Sequence, residues 1–281
     1  MKLALCYFTF SKDAPLLTQS LRSVARLRNL RPDVESDVYI FDDGASPMDA
    51  PPDGVVYTQT HWNRRGNLNG VENLYAMLAT YQAVAAKADY DFILKVDCDT
   101  YINDWAWLDD VDLEQTVNVG MFNTQYFAHG CLYAFTQAGL AAIAALAQRD
   151  AIHRRIASGY ACEDLVFGVL ASMTGMQTKR LNNHYNVLGR GRGGYQDFEW
   201  TGHEAVPRLE NPDPEQMATH MSVTFKRNSH YRSPAERALD RADALTRMTA
   251  YADWVDTHQQ TANRKPLTAN RKPLTANSKP L

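Results

Sequence analysis

The stretch Phe92-Ile93-Leu94-Lys95-Val96-Asp97-Cys98-Asp99 decides the predicted fold. It begins with a short apolar run, which is typical of a strand that is buried on both faces of a parallel sheet. Two carboxylates follow the run at once and therefore lie near the carboxyl end of the strand. Open parallel sheets collect their ligands at that end. The stretch thus predicts a central strand with an acidic site at its tip.

The rest of the chain supplies the alternating elements that such a sheet needs. Strands are predicted over residues 3–10, 37–41, 55–60, 92–96, 117–122, 131–135 and 218–225, and helices over residues 13–31, 71–87, 136–148, 164–171 and 233–258. Strands separated by helices of this length indicate βαβ units and a mainly parallel sheet with helices on both faces. We therefore expect an α/β fold with a single Rossmann-like domain over residues 1–232 and a C-terminal helix over residues 233–258.

The chain ends in a short repeat that reads TANRKPL, TANRKPL, TANSKPL. A proline in every repeat prevents a continuous helix, so we expect a disordered tail over residues 259–281. The repeats carry basic residues and no acidic residue. The tail is therefore either a repeat expansion without a site of its own or a weak basic tether for an anionic surface.

Composition sets the class of protein. With 281 residues, 45% hydrophobic and 22% charged, the chain can bury a sizeable core and is typical of a globular protein. The formal net charge of −3 gives no support to nucleic-acid binding. We see no apolar run long enough to cross a membrane and no signal-peptide pattern, and the expected location is therefore cytoplasmic.

The four cysteines are Cys6, Cys98, Cys131 and Cys162. None belongs to a C-x-x-C pair, and each lies in an apolar or strand-like stretch. This pattern favours buried free thiols over a disulfide framework or a zinc site.

Asp97 and Asp99 are the candidate metal ligands. In extended geometry they share a face, and two carboxylates held close together are costly without a cation. Their hard oxygen atoms suit Mn²⁺ or Mg²⁺. The chain has two other D-x-D triplets, at residues 89–91 and 110–112, but neither follows a buried strand. The alternative for Asp97 and Asp99 is a solvated turn at the end of the strand.

Several segments resemble, in order along the chain, the GT-A class of nucleotide-sugar glycosyltransferases. Residues 4–10 are similar to the first strand of the family-2-type enzymes, whose end contacts the base, which implicates Phe8, Thr9 and Phe10. Phe41-Asp42-Asp43-Gly44-Ala45-Ser46 is similar to their D-D-G-S element. Its second aspartate holds the nucleobase, and that role falls on Asp43.

The next three segments resemble the β-1,3-galactosyltransferase and Fringe-like group. Residues 94–99 are similar to its K-x-D-x-D stretch, Gly130-Cys131-Leu132-Tyr133 to its G-x-x-Y strand, and residues 162–168 to its E-D-V-x-x-G helix start. The resemblance implies that Asp164 is the general base of an inverting displacement and that Glu163 lies toward the acceptor. The alternative is that both carboxylates only cap the helix that follows.

His220 and Lys226 match part of a further motif. They keep the spacing of the H-x-x-G-x-x-K motif of the glycogenin-like group, although Val223 stands in place of the glycine. The resemblance implies that His220 is a third metal ligand and that Lys226 contacts the diphosphate. His203 is the competing ligand. That group retains the anomeric configuration, so inversion and retention both stay open.

Two further segments carry candidate binding residues. Arg65 precedes a helix where family-2-type enzymes place a basic residue near the nucleotide, and the alternative is a polar surface loop. Residues 179–204 are rich in glycine, basic and aromatic residues, which favours a lid over a disordered loop. Its candidate acceptor and donor contacts are Arg190, Arg192, Tyr195 and Trp200.

The resemblance as a whole implies a metal-dependent glycosyltransferase. Its donor would be a nucleotide diphosphate sugar such as a UDP-sugar, bound with Mn²⁺ or Mg²⁺. Its acceptor would be a hydroxyl of a glycan, protein, lipid or modified nucleic acid. Residues 1–100 would form the nucleotide-binding half of the domain and residues 101–232 the acceptor half.

Two alternatives belong to other functional classes. A nucleotidyltransferase would use the same metal, but it usually has a glycine-rich loop after the first strand, and Thr9-Phe10-Ser11-Lys12-Asp13 contains no glycine. A non-catalytic module that binds a nucleotide or a glycan would be favoured if Asp164 lay far from the acidic pair.

Overall fold

The computed structural model describes residues 1–61, 71–122, 128–158, 163–181, 185–188, 198–199, 218–221 and 233–262 of the chain. The strands are β1 (Lys2–Thr9), β2 (Glu35–Asp43), β3 (Val56–Thr60), β4 (Phe92–Val96), β5 (Thr100–Ile102), β6 (Thr116–Phe122), β7 (Ala128–Thr136), β8 (Gln177–Leu181), β9 (Tyr185–Leu188), β10 (Phe198–Glu199) and β11 (Ala218–His220). The helices are α1 (Ala14–Leu30), α2 (Val71–Ala85), α3 (Gln137–Ala147), α4 (Asp150–Ser158), α5 (Glu163–Met173) and α6 (Pro234–Ala262).

The larger sheet has seven strands in the order β3-β2-β1-β4-β7-β6-β8. Its strands run parallel except for β7, which is antiparallel to both β4 and β6. A smaller sheet has the order β10-β9-β11-β5 and begins directly after the tip of β4. The predicted α/β class with a mainly parallel sheet is confirmed.

Helices cover both faces of the larger sheet. Along β1, Leu5 and Tyr7 face a core that includes residues of α1 and α6, whereas Cys6 and Phe8 face a core that includes residues of α2, α3 and α5. Because side chains alternate across a strand, both sets are apolar only where a sheet is buried on both sides. The burial predicted for β1 and the central position predicted for β4 agree with this arrangement.

Several predicted boundaries need correction. The segment expected to be a lid over residues 179–204 includes the last residues of β8 and the short strands β9 and β10. The helix expected to end at residue 258 continues to Ala262, into the segment expected to be a disordered tail. The rest of that tail lies outside the described residues, as do residues 222–225 of the strand expected over 218–225.

The described residues include three of the four cysteines. Cys6, Cys98 and Cys131 are buried free thiols, as predicted, and Cys162 lies outside the described residues. Burial raises the pKa of the Cys6 thiol, which keeps it protonated. Within the described part of the chain, we find no helix whose length and apolar character would let it cross a membrane.

Candidate active site

Asp97 stands at the end of β4, in a turn that the backbone holds firmly. Its N–H donates to the carbonyl of Cys131 at 2.9 Å, and its own carbonyl accepts from the N–H of Thr100 at 3.1 Å. The side chain of Asp97 is 33% exposed, whereas that of Cys98 is buried. The turn therefore presents the Asp97 carboxylate at the surface while Cys98 anchors it in the core.

Asp99 lies where the two sheets meet. Its carbonyl accepts from the N–H of Met221 at 2.8 Å. The strand β11 pairs antiparallel with β5, so that His220 stands opposite Thr100. The backbone of His220 is therefore adjacent to Asp99, as a third ligand would require, although its side chain lies outside the description.

Lys95 is a buried cation at the centre of the site. Its ammonium donates to Asp97 Oδ1 at 2.5 Å and also to the carbonyl of Gly130, and it lies 3.5 Å from Glu163 Oε1. Burial acts to lower the pKa of Lys95, but the charges of Asp97 and Glu163 outweigh it and the pKa is raised. Lys95 therefore stays charged and joins the tip of β4 to the start of α5.

The first turn of α5 approaches the same place from the other side. A Cβ atom placed on Gly130 would lie 3.1 Å from Asp164 Oδ2 and 3.5 Å from Glu163 Oε1. Gly130 therefore lies beside Asp164, and the next residue, Cys131, accepts the N–H of Asp97. The structure thus brings the predicted base and the predicted metal ligand to one end of the sheet.

The two carboxylates of α5 have different surroundings. Asp164 Oδ1 accepts from the N–H of Leu165 at 2.9 Å, so Asp164 does satisfy a backbone donor of the first helical turn. Glu163 is buried, and among the described residues its Oε1 accepts no hydrogen bond. Burial raises the pKa of Glu163, and the charge of Lys95 opposes that rise.

The side chains at the end of β1, where contacts with a base are predicted, are buried. Phe8 stacks on Phe41 with a centroid distance of 5.4 Å and meets Tyr81 edge-on at 5.6 Å. Thr9 is 1% exposed and Phe10 is 4% exposed. Any contact of Phe8 or Thr9 with a base would therefore have to come from the backbone.

The Asp43 turn lies beside this strand end. Asp43 is buried, and its Oδ1 accepts from the N–H of Ala45 at 3.0 Å. A side chain at Gly44 would place a Cβ atom 2.0 Å from the carbonyl oxygen of Thr60, so only glycine fits there. The hydroxyls of Ser46 and Ser11 are 2.7 Å apart and tie the turn to the end of β1.

Sequence reasoning missed two residues at this end of the molecule. Arg241 of α6 donates from Nε to Asp13 Oδ1 at 2.8 Å, and its guanidinium lies 4.9 Å from the ring centroid of Phe10. Burial raises the pKa of Asp13 to about 6, Arg241 opposes the rise, and the charges of Asp99 and Asp97 add to it. Asp13 and Arg241 therefore lie within electrostatic reach of the acidic pair.

The raised pKa of Asp13 predicts a pH effect on stability. The stabilisation that protonated Asp13 gives the folded protein is fully present below its ordinary pKa of 3.8. It is lost as pH rises through its folded-state pKa of about 6. The free energy of unfolding of the wild type, relative to Asp13→Asn, should therefore fall by up to about 3 kcal/mol between pH 4 and pH 7. Urea unfolding of both proteins in chelator at the two pH values measures this difference. A pH-independent difference would contradict it.

Seven predicted site residues lie outside the described residues. They are Arg65, Arg190, Arg192, Tyr195, Trp200, His203 and Lys226. Their roles in the nucleotide site, the lid and the metal site stay predictions.

The donor atoms of the acidic pair suit the predicted metal. Carboxylate oxygens of Asp97 and Asp99 are hard ligands of the kind that Mn²⁺ and Mg²⁺ prefer. One oxygen of Asp97 already accepts from Lys95. In the part of the chain that the structure describes, no three side chains of His, Cys, Asp or Glu form a group that could hold a metal ion. The third ligand, His220 or His203, stays a prediction.

Solved structures of other proteins share this arrangement of strands and helices. WbbM, a bifunctional glycosyltransferase, superposes with a TM-score of 0.50 at 13% identity, over 86% of this chain and 49% of that protein. The chain has a glycosyltransferase fold. The predicted resemblance to the GT-A class is thereby confirmed for the fold.

Two further glycosyltransferases are similar at a lower level. The galactosyltransferase LgtC, in complex with donor and acceptor sugar analogues, has a TM-score of 0.44 at 14% identity, over 88% of this chain and 96% of LgtC. Mouse xyloside xylosyltransferase 1 has a TM-score of 0.45 at 12% identity, over 79% of this chain and 98% of that enzyme. No protein-family model matches the sequence, and no curated protein matches it.

Proposed function

We propose that the chain is a metal-dependent glycosyltransferase that moves a sugar from a nucleotide diphosphate sugar, a UDP-sugar first of all, to an acceptor hydroxyl. One observation supports this most. At the tip of a buried central strand, Gly130 lies beside Asp164, and the adjacent residue Cys131 accepts the N–H of Asp97. In a glycosyltransferase fold, that is the edge of the sheet where ligands bind.

The acidic pair would hold the metal. Asp97 and Asp99, with His220 or His203, would bind Mn²⁺ or Mg²⁺, which when bound neutralises the charge that builds on a departing diphosphate. Lys95 fixes one oxygen of Asp97, so the carboxylate keeps its orientation before any ligand arrives. The nucleobase would lie against the Asp43 turn. Lys226 and Arg65, which do not belong to the described residues, would also contact the nucleotide.

Asp164 would take the proton from the acceptor hydroxyl in an inverting displacement. Its position at the start of α5 exposes it to backbone N–H groups, which favour the ionised form. A carboxylate held ionised beside the reacting centre can serve as a general base. Glu163 and the residues Arg190, Arg192, Tyr195 and Trp200 would line the acceptor side.

A thermal-shift panel tests the proposed function. UDP-, GDP-, CDP- and dTDP-sugars and the four matching nucleoside triphosphates are added with Mn²⁺ or with chelator. We expect one of the sugar nucleotides to raise the melting temperature by several degrees only with the metal. A ligand at about 100 times its Kd stabilises a folded protein by about 2.7 kcal/mol. A shift with nucleoside triphosphates alone would favour a nucleotidyltransferase, and no shift with any nucleotide would contradict the proposal.

A further inference from the structure

The helix α6 contributes a cation to the nucleotide end of the site. Arg241 is bonded through Nε to Asp13 at 2.8 Å and lies over the ring of Phe10 at 4.9 Å. A planar guanidinium in contact with a carboxylate and an aromatic face is fixed in orientation. The side chain of Arg241 is only 18% exposed. Arg241 is therefore a preorganised group rather than a mobile surface charge.

Most of the donor capacity of Arg241 is unused. A guanidinium carries five N–H donors. Across the described residues, Arg241 makes one hydrogen bond, from Nε, and its two terminal nitrogens make none. Solvent reaches the terminal nitrogens, and a ligand with anionic oxygens would form charge-assisted hydrogen bonds with them in place of water.

A second arginine of the same helix gives a contrast. Arg247 is buried, donates from Nη1 to the carbonyl of Met221 at 2.7 Å, and lies 3.1 Å from Asp243. Its donors are used to hold the end of β11 against α6. Arg241 belongs to the same helix, but its bond to Asp13 uses only Nε, so its terminal donors hold no other described element in place.

The position of Arg241 matches the middle of a nucleotide sugar. On one side, Ser11 and Ser46 join the Phe10 segment to the Asp43 turn, where the nucleobase would lie. On the other side, the charges of Asp99 and Asp97 reach Asp13, the partner of Arg241. A diphosphate connects the nucleoside to the metal, so it must pass between these two ends.

We propose that Arg241 is a further donor-binding residue, whose terminal N–H groups contact the diphosphate of the nucleotide sugar. The inference rests on the proposed function and adds a residue that no sequence motif marks. Asp13 and Phe10 act as positioning residues, because they hold the guanidinium and need not touch the ligand themselves.

The test compares affinities for a nucleoside diphosphate and for its nucleoside. Isothermal titration with Mn²⁺ uses the nucleoside diphosphate of whichever sugar nucleotide stabilises the wild type in the panel above, which we expect to be UDP, and then the matching nucleoside. Arg241→Met should weaken binding of the diphosphate by about tenfold or more, since it removes charge-assisted hydrogen bonds. Binding of the nucleoside should change by less than about twofold. Arg241→Lys should recover part of the loss.

Arg22→Met is the matched control. Arg22 pairs with Asp253 at 2.7 Å and with Asp256 at 2.5 Å, so it also ties α6 to the body of the domain but from α1. This variant should bind both ligands like the wild type. Wild-type binding of the diphosphate by Arg241→Met, or equal losses for diphosphate and nucleoside, would overturn the inference while the proposed function stands. A wild type that binds no nucleotide would overturn both.

Discussion

Asp99→Asn is expected to lower sugar transfer by about a thousandfold, equivalent to about 4 kcal/mol of lost transition-state stabilisation. The amide keeps the size of the carboxylate but removes the negative charge that a divalent cation requires. Asparagine keeps one oxygen acceptor, and the backbone carbonyl of Asp99 still accepts from the N–H of Met221. The melting temperature without metal should therefore stay near that of the wild type.

Asp89→Asn is the matched control for this experiment. Asp89 is exposed and also begins a D-x-D triplet, but its triplet does not follow a buried strand. This variant should transfer sugar at the wild-type rate. Transfer is measured by release of the nucleoside diphosphate at saturating donor with Mn²⁺, Mg²⁺ or chelator. Undiminished turnover in Asp99→Asn, or full activity of the wild type in chelator, would remove the metal from the mechanism.

The elements at the centre of the sheet could be predicted from the sequence because their signals are local. The strand β4 has the predicted bounds, Phe92–Val96, since an apolar run bordered by aspartates leaves little choice of ends. The remaining strands of the first half differ from prediction by one or two residues at most ends, as fraying allows. The acidic pair was found because its place depends on β4 alone.

Short elements held by distant partners could not be predicted. The strand β5 has only three residues and forms because β11 pairs with it from far along the chain. Three residues carry too little periodicity for a strand to be recognised. The same holds for β9 and β10, which fall in a stretch whose glycines and aromatic residues favoured a loop.

The inward face of α6 was predicted wrongly in part. The helical spacing of the apolar residues predicts a packing side formed by Leu239, Ala242, Leu245, Met248 and Val255, but Leu239 is 70% exposed and Ala242 is also exposed. Asp240 and Arg247 are buried instead, because this face of the helix meets polar groups at the end of the sheet. A pattern built on hydrophobicity assigns charged residues to solvent, and it fails where a helix contributes charges to a site.

The ion pairs of the site lie beyond any single-sequence argument. Asp13 and Arg241 are separated by 228 positions, and neither belongs to a motif. Lys95 was visible in the K-x-D-x-D stretch, but its approach to Glu163 depends on how α5 packs against β7. The residue types of a site can be found from the sequence, whereas their partners follow from tertiary packing.

Asp164→Asn is expected to slow sugar transfer by about a hundredfold to a thousandfold with little change in donor affinity, since general-base catalysis contributes factors of this size. Asparagine is as good as aspartate at satisfying the N–H groups of a first helical turn. The bond from Leu165 to Oδ1 should therefore survive, and the melting temperature should change little. Single-turnover rates and equilibrium binding of the donor separate the two effects.

Two further variants distinguish a base from a cap. Asp164→Ala removes both functions, so it should match the asparagine variant in rate but lose about 1 kcal/mol of stability. Asp104→Asn is the control for capping alone, because Asp104 accepts from the N–H groups of Trp105 and Ala106 in a separate turn. It should transfer sugar normally.

The asparagine variant decides between the two roles of Asp164 because it keeps one and removes the other. If Asp164→Asn turns over at the wild-type rate, the carboxylate serves only the helix. The acceptor proton must then leave by another route, and the retaining alternative suggested by the spacing of His220 and Lys226 becomes the better explanation of the site.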